Sequence, residues 1–316
     1  MKLLIFCDPG IDDALALIYA LLHPEIEVLG LVCSYGNVDK ITAANNAAHI
    51  LQLAGRMDIP IFNGAEMPVS GELANYYPEI HGEDGIGPIK VKKGANQFRI
   101  HNLGEVFDII NRNKDVVIAD LGRSTTLAAC FLLNREVMGK VKELHIMGGA
   151  FMVPGNVTPV AEANFFGDPT SANLLLAHGK KVFLTPLNVT QKAIITNDYG
   201  EALEYYSKNT FKGIYIPIIK FYAKAYSKLV PGMELVPGME GAPFHDLLTI
   251  YSVAHPQRMQ YLAKKVHVVV EGKTRGKSFA DFRHMDSDDE SKHHIALGFD
   301  YEHFLQEVFQ VLTRPL

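Results

Sequence analysis

The chain is poor in cysteine: Cys7, Cys33 and Cys130 are the only three in 316 residues. An odd number, each in an apolar segment, excludes a disulfide framework and reads as reduced thiols of a cytoplasmic protein. Cys7 adjoins Asp8, but a thiol nucleophile needs a nearby base, so Cys7 is read as structural. Long apolar runs are missing too. No stretch reaches the roughly 18 residues that a membrane span needs. Met1-Lys2 leads straight into a strand that carries acids, which a cleaved signal peptide would remove, so none is expected. There is no basic excess either: the formal net charge is −5, which gives no reason to expect a nucleic-acid partner. With 48% hydrophobic and 21% charged residues the composition is that of a globular protein with a packed core.

What is present begins near the start. Leu3-Leu4-Ile5-Phe6-Cys7 runs into Asp8-Pro9-Gly10-Ile11-Asp12-Asp13, then into the helix-like pattern Ala14-Leu15-Ala16-Leu17. The order is strand, turn, helix N-terminus. Three carboxylates thus gather at the carboxyl end of the first strand, the edge where open α/β sheets bind ligands. They repel one another unless a positive charge sits between them, and hard cations such as Ca²⁺ take oxygen ligands. The plainer alternative is that Asp12 and Asp13 only cap the helix, whose N-terminus favours negative charge.

The rest of the chain repeats the rhythm. Strands are expected at Glu27–Cys33, Ile59–Gly64, Val116–Gly122, Val141–Gly149 and Lys181–Val189, with short ones at Lys265–Val270, Ser278–Phe282 and His293–Leu297. Helices are expected at Ile41–Leu53, Leu103–Asn113, Leu127–Leu133, Asp198–Tyr206, Ile214–Lys228 and Tyr301–Leu312. Alternation of this kind predicts an α/β fold: a Rossmann-like, open, mostly parallel sheet with helices on both faces. The expectation is one domain over residues 1–316, with mobile loops near 69–96 and 229–243. The first loop holds His81-Gly82, placed to enter a site or to remain plain loop. The second holds a tandem hexapeptide, Leu229–Glu234 and Leu235–Glu240, in which Pro-Gly twice marks a turn. The acidic run Asp286–Glu290 is read as a solvated turn.

Further polar groups stand at strand ends and loops. Asn37 follows the second strand. Asn156, Glu162 and Asn164 follow the Gly148-Gly149 pair, and Glu162 and Asn164 share a side if that segment is extended. An amide with a carboxylate suits vicinal hydroxyls, which both donate and accept. Asp168-Pro169 looks like a helix start. His245-Asp246 opens an apolar helix; His245 has an unperturbed pKa near 6.5 and is placed to carry a proton, while Asp246 also suits a helix cap.

Taken together, Asp8 through Ala14, Asn37, His81-Gly82, Gly122 through Ala128, Ile146 through Gly149, Asn156 through Asn164 and His245-Asp246 resemble the inosine-uridine nucleoside hydrolase family, in its order and over nearly the whole chain. The resemblance implies a tightly bound Ca²⁺ and hydrolysis of the N-glycosidic bond of ribonucleosides. It implies Asp8, Asp13 and Asp246 as metal carboxylates and Thr125 as a metal-bound backbone carbonyl. Asp12, Asn37, Asn156, Glu162 and Asn164 would bind ribose, and His81 would lie near the base. Asp8 would act as general base on a metal-held water and His245 would protonate the leaving base. It also implies a homodimer or homotetramer.

This chain departs from the family pattern in places. Gly122-Arg123-Ser124-Thr125-Thr126 stands where Gly-Pro-Leu-Thr-Asn is usual. Ala163 replaces a common aromatic, and Asn188 a common Asp. The absence of Trp speaks against the purine-specific branch that stacks its base between tryptophans. Two other readings compete. A metal-dependent phosphohydrolase with Asp8 as nucleophile lacks a Lys or Arg cluster beside the acids and leaves Asn156, Glu162 and Asn164 idle. A nucleoside-binding or sensing protein would have lost catalysis through the Arg123 and Ala163 changes.

Overall fold

The computed structural model describes residues 1–91, 98–229, 240–283 and 293–316. In chain order the strands are β1 Lys2–Cys7, β2 Glu27–Cys33, β3 Ile61–Asn63, β4 Ile100–His101, β5 Val117–Asp120, β6 Glu143–Met147, β7 Val182–Thr185, β8 Ile194–Thr196, β9 Gly241–Pro243, β10 Met259–Ala263, β11 Val266–Val268, β12 Ser278–Ala280 and β13 His293–Phe299. Nine of them form one sheet in the order β10-β13-β7-β6-β5-β1-β2-β3-β4. Every pairing is parallel except β10 with β13. The expected Rossmann-like α/β architecture is what the chain adopts.

The topology fixes where a ligand fits. From β1 the chain builds outward through β2, β3 and β4. It then returns to the other side of β1 with β5 and builds outward again through β6 and β7. The order therefore reverses between β1 and β5, and the crevice beyond their carboxyl ends is the switch point of the sheet.

Because side chains alternate along a strand, β1 feeds two cores. Leu3, Ile5 and Cys7 pack on one face with the helices Ile11–Leu22, His245–Ala254 and Tyr301–Thr313. Leu4 and Phe6 pack on the other with Phe131, Leu175 and Leu176 of the helices Thr125–Leu133 and Pro169–His178. Such two-sided burial is what near-continuous apolar strands of a parallel sheet require.

Several boundaries differ from the sequence reading. The strand expected over Lys181–Val189 stops at Thr185, where Pro186 caps a helical turn, Leu187–Thr190. The strand expected over Val141–Gly149 is shorter, ending at Met147 so that Gly148-Gly149 turns the chain. β11 and β12 leave the main sheet and pair with each other, while β13 joins it. The antiparallel edge strand β10 was not expected, since Met259-Gln-Tyr-Leu-Ala carries no clear alternation. The 69–96 loop contains a helical turn, Pro78–His81. Most of both hexapeptide repeats and the whole Asp286–Glu290 run lie outside the described residues.

Phe304, fully buried where the closing helix meets the core, tests this packing. Phe304→Ala is expected to cost about 3–5 kcal/mol, read as a lower urea midpoint with an unchanged slope.

Candidate active site

Asp8 ends β1 and is followed by a turn that Asp13 organises. Asp13 Oδ1 accepts the Asp8 backbone N–H at 3.2 Å, and Oδ2 accepts the Gly10 N–H at 3.0 Å and the Asn37 side-chain amide at 2.9 Å. The same carboxylate thus caps the helix Ile11–Leu22 and ties the end of β2 to the end of β1. Asp8 Oδ2 accepts the Asn37 backbone N–H at 2.5 Å. A Cβ on Gly36 or Gly122 would collide with the Asp8 carboxylate, so side-chain-free backbone on both sides makes its position possible.

Asp246 arrives from the first turn of the helix His245–Ala254. Oxygen atoms of Asp12, Asp13 and Asp246 lie within 4.8 Å of one another. Asp8, Asp12, Asp13 and Asp246 are all buried. Burial raises all four carboxyl pKa values, Asp12 to about 7, and mutual repulsion raises Asp8, Asp12 and Asp246 further. Asp8 Oδ1 and Asp12 Oδ1 are buried without a hydrogen-bond partner. Unpartnered carboxylate oxygens beside two further carboxylates are the donor set of a hard cation, so the residues present fit a metal such as Ca²⁺. The resemblance implied ribose binding, close to the metal, by Asp12 and metal binding by Asp8, Asp13 and Asp246; the oxygen trio within 4.8 Å is Asp12, Asp13 and Asp246, and Asp8 lies outside it.

Beside the cluster opens a cavity. Asp12, Asn37, His81, Asn156, Glu162, Asn164, His245 and Asp246 all line it. Asp8, Asp13 and Thr125 do not appear in its wall. Thr125 opens the helix Thr125–Leu133, and its hydroxyl donates to Asp168 Oδ2 at 2.7 Å and meets Tyr35 at 2.8 Å.

The pair Glu162 and Asn164 is not on an extended segment. Glu162 is the N-cap of the helix Ala163–Gly167, its carboxylate accepting N–H groups of Asn164, Phe165 and Gly149 at 2.7, 3.1 and 2.9 Å. Asn164 Nδ2 donates to the Leu121 and Met147 carbonyls, and Asn156 Oδ1 accepts from Ala163 N. Among the described residues that leaves the Asn164 and Asn37 oxygens as acceptors and the Asn156 amide as a donor, with no protein partner.

The two histidines are neutral at pH 7. Burial pushes His81 down to about 3, helped by His245, and pushes His245 down to about 4. His81 Nδ1 accepts the Ile11 backbone N–H at 3.1 Å, so its proton sits on Nε2 and the ring is part of the helix cap as well as of the wall. His245 Nδ1 meets the Thr190 hydroxyl and Nε2 the Tyr226 hydroxyl, each at 2.7 Å.

Sequence reading missed Tyr77, Tyr222 and Tyr226, all in the wall. Tyr222 and Tyr226, four apart on the helix Tyr215–Leu229, share one face, and that spacing was the available signal. Asp168, read as a helix start, does cap the helix Pro169–His178, and it also accepts from Thr125 and Val69, which the sequence did not signal. A separate trio, His23, His255 and Glu307, lies at the far end of the first helix. His23 Nδ1 accepts the Glu25 N–H at 3.1 Å, which puts its proton on Nε2, the nitrogen 3.5 Å from Glu307 that a metal would need free.

A buried carboxylate cluster at the switch point of an α/β sheet thus opens on a cavity with unpaired amide groups. Residues 3–306 match the family model for inosine-uridine preferring nucleoside hydrolase, and the chain belongs to that family. It is 30% identical to uridine nucleosidase 1 of Arabidopsis thaliana over 89% of this chain and 82% of that protein. It is 34% identical to the pyrimidine-specific ribonucleoside hydrolase RihA of Shewanella sp. (strain ANA-3), over 79% of this chain and 76% of that one. The solved plant nucleoside hydrolase PpNRh1 superposes with a TM-score of 0.89 at 30% identity, covering 99% of both chains. A purine-preferring ribonucleoside hydrolase from Gardnerella vaginalis also gives 0.89, at 28% identity, over 99% of this chain and 98% of that one.

The raised carboxyl pKa values give a signed prediction. Without metal the folded state holds protons that the unfolded state has released between about pH 4 and 7, so stability falls as pH rises through that window. A cation replaces those protons. The rise in Tm on adding Ca²⁺ should therefore grow from pH 5 to pH 8, reaching about 4 kcal/mol of stabilisation at a thousandfold excess over Kd. Thermal melts across that range check it; a gain independent of pH would contradict the assignment.

Proposed function

We propose that this protein hydrolyses the N-glycosidic bond of ribonucleosides to ribose and free base, with Ca²⁺ as its metal. The supporting observation is the junction of the two halves of the site: unpartnered oxygens of Asp8 and Asp12 at the edge of a cavity whose amides offer both a donor and acceptors. A sugar with vicinal hydroxyls meets both needs.

Asp8, Asp13 and Asp246, with the Thr125 carbonyl, would hold the ion. When bound, it supplies Lewis-acid and templating chemistry for the attacking water and the ribose hydroxyls. Asp8 takes the proton of that water as general base. Asp12, Asn37, Asn156, Glu162 and Asn164 orient the ribose, and His81 shapes the base side. Bond cleavage builds positive charge on the sugar, as in glycoside hydrolysis generally, and the carboxylates stabilise it electrostatically. The departing base needs a proton. His245, neutral with its pKa near 4, gives that proton and takes one up from water, so no charge is left on the Thr190–His245–Tyr226 chain. The buried thiols Cys7, Cys33 and Cys130 support placing the enzyme in the reducing cytoplasm.

Two of the relatives are named for uridine or pyrimidine ribosides, and the chain lacks Trp, so pyrimidine ribosides head the substrate list. Base release from uridine, cytidine, inosine, adenosine and guanosine, with Ca²⁺ and after chelation, tests the reading. Release is expected to vanish on chelation, and Asp8→Ala to lower kcat by about a thousandfold, in line with loss of a general base. Normal turnover by that variant would sink the mechanism. Ca²⁺-dependent nucleoside binding without base release would instead identify a binding or sensing protein.

A further inference from the structure

Arg123, in the turn after β5, is only 4% exposed and makes no ion pair among the described residues. Burying a guanidinium is costly unless its charge and its donors are used. Here its charge lies near Asp8 and Glu162, whose carboxyls it holds lower than burial alone would. Nη2 donates to the Asn75 carbonyl at 2.8 Å. The guanidinium carbon is 5.1 Å from the centre of the Tyr35 ring and 5.9 Å from that of Tyr77, the separation of cation–π contacts. Its stem occupies the space that a Cβ on Gly167 would need. Arg123 therefore joins the floor of the site to the segment around residues 75–77.

That segment delivers Tyr77 to the cavity wall. The Tyr77 backbone N–H donates to the Asn37 carbonyl at 3.3 Å, and the chain then turns through Pro78–His81. Tyr77 is thus tied to the side of the cavity that holds Asn37 and Glu162. The other rings of the wall, His81, Tyr222, Tyr226 and His245, follow one another with centres 5.7, 4.9 and 6.0 Å apart. Tyr77 therefore stands beside Asn37 and Glu162, two of the groups assigned to ribose.

We infer that Tyr77 is a specificity-determining wall for the sugar, packing against the ribose whatever base it bears, and that Arg123 is the positioning residue that holds it there. The inference rests on the ribonucleoside reading above. Its signature is a change in KM that is the same for every base. A wall on the base side would instead change KM by amounts that differ between purines and pyrimidines. A purely structural role would move the melting temperature and kcat.

The experiment compares the full-length protein with Tyr77→Ala, Arg123→Met and the double variant, in the presence of Ca²⁺, on uridine, cytidine, inosine and adenosine. Loss of a contact made equally in ground and transition states should raise KM about tenfold for Tyr77→Ala on all four, with kcat within about threefold. Arg123→Met should raise KM about fivefold. If it acts through Tyr77, the double variant should lie within about twofold of Tyr77→Ala. An unchanged KM, a base-dependent change, or an additive rise of about fiftyfold in the double variant would overturn the inference. Thermal melts establish that each variant is folded, and Tyr77→Leu takes the place of Tyr77→Ala should the latter unfold. Calorimetric titration of D-ribose separates this inference from the reading beneath it. If the parent protein releases no base from any nucleoside, that reading fails. An approximately tenfold weaker ribose affinity in Tyr77→Ala would still support the wall, and ribose binding that is unchanged or absent would overturn it.

Discussion

Four carboxylates in one water-poor place are the constraint on which the rest of this structure depends. Asp8, Asp12 and Asp246 have their proton affinity raised by the neighbouring carboxylates, and no basic side chain forms an ion pair with the four among the described residues: His81 Nδ1, 3.9 Å from Asp12, belongs to a neutral ring that accepts the Ile11 N–H. The fold offsets the repulsion with neutral dipoles. Asp13 is saturated by two backbone N–H groups and an amide, and the first helix points its N-terminus at the cluster. Asp8 has one oxygen on the Asn37 N–H and one unpaired. What the dipoles leave uncompensated is the charge that a divalent cation would neutralise, so the apparent instability of the site is a statement about affinity.

The parallel sheet explains how residues so far apart in sequence meet. Parallel strands deliver all their carboxyl ends to one edge, and the reversal of order between β1 and β5 leaves a gap there that no crossover helix covers. Residues 8–13, 37, 121–125 and 147–164 reach the gap from the ends of β1, β2, β5 and β6. Asp246 comes differently, on a helix that lies against the first helix in the core. Close approach at this edge needs missing side chains: Gly36 and Gly122 flank Asp8, and Gly148 gives way to the Phe165 ring.

How much of this is legible in the sequence depends on whether a feature is local. The strand–turn–helix around Asp8 is legible because each signal agrees: an apolar run, a Pro-Gly turn and acids at a helix start. Most core strands are legible for the same reason, since burial on both faces makes them continuously apolar. Glu162 was found, but its setting was misread, because an N-cap and an extended polar residue look alike without the following turn. β10 was invisible because edge pairing with β13 is a tertiary matter; Asp168 was legible as a helix start, but its bonds to Thr125 and Val69, 43 and 99 residues away, were not. Tyr77 illustrates the limit most clearly. Nothing in its neighbourhood marks it, and only the fold shows that Arg123, itself conspicuous as a departure, stands beneath it.

The site also sets charged and neutral groups side by side. The carboxylates supply ionisable oxygens. Next to them, with His81 Nδ1 3.9 Å from Asp12, are two imidazoles that burial keeps neutral, together with the hydroxyls of Tyr222 and Tyr226, whose pKa values burial raises. In the proposed reaction the sugar becomes positive while the base gathers negative charge. A site charged throughout would favour one fragment and oppose the other. Here the growing cation faces the carboxylates and the base departs toward neutral hydrogen-bond donors. Burial, which makes the acid cluster expensive, is the same property that keeps His81 and His245 uncharged, so one constraint produces both halves of the polarity that cleavage needs.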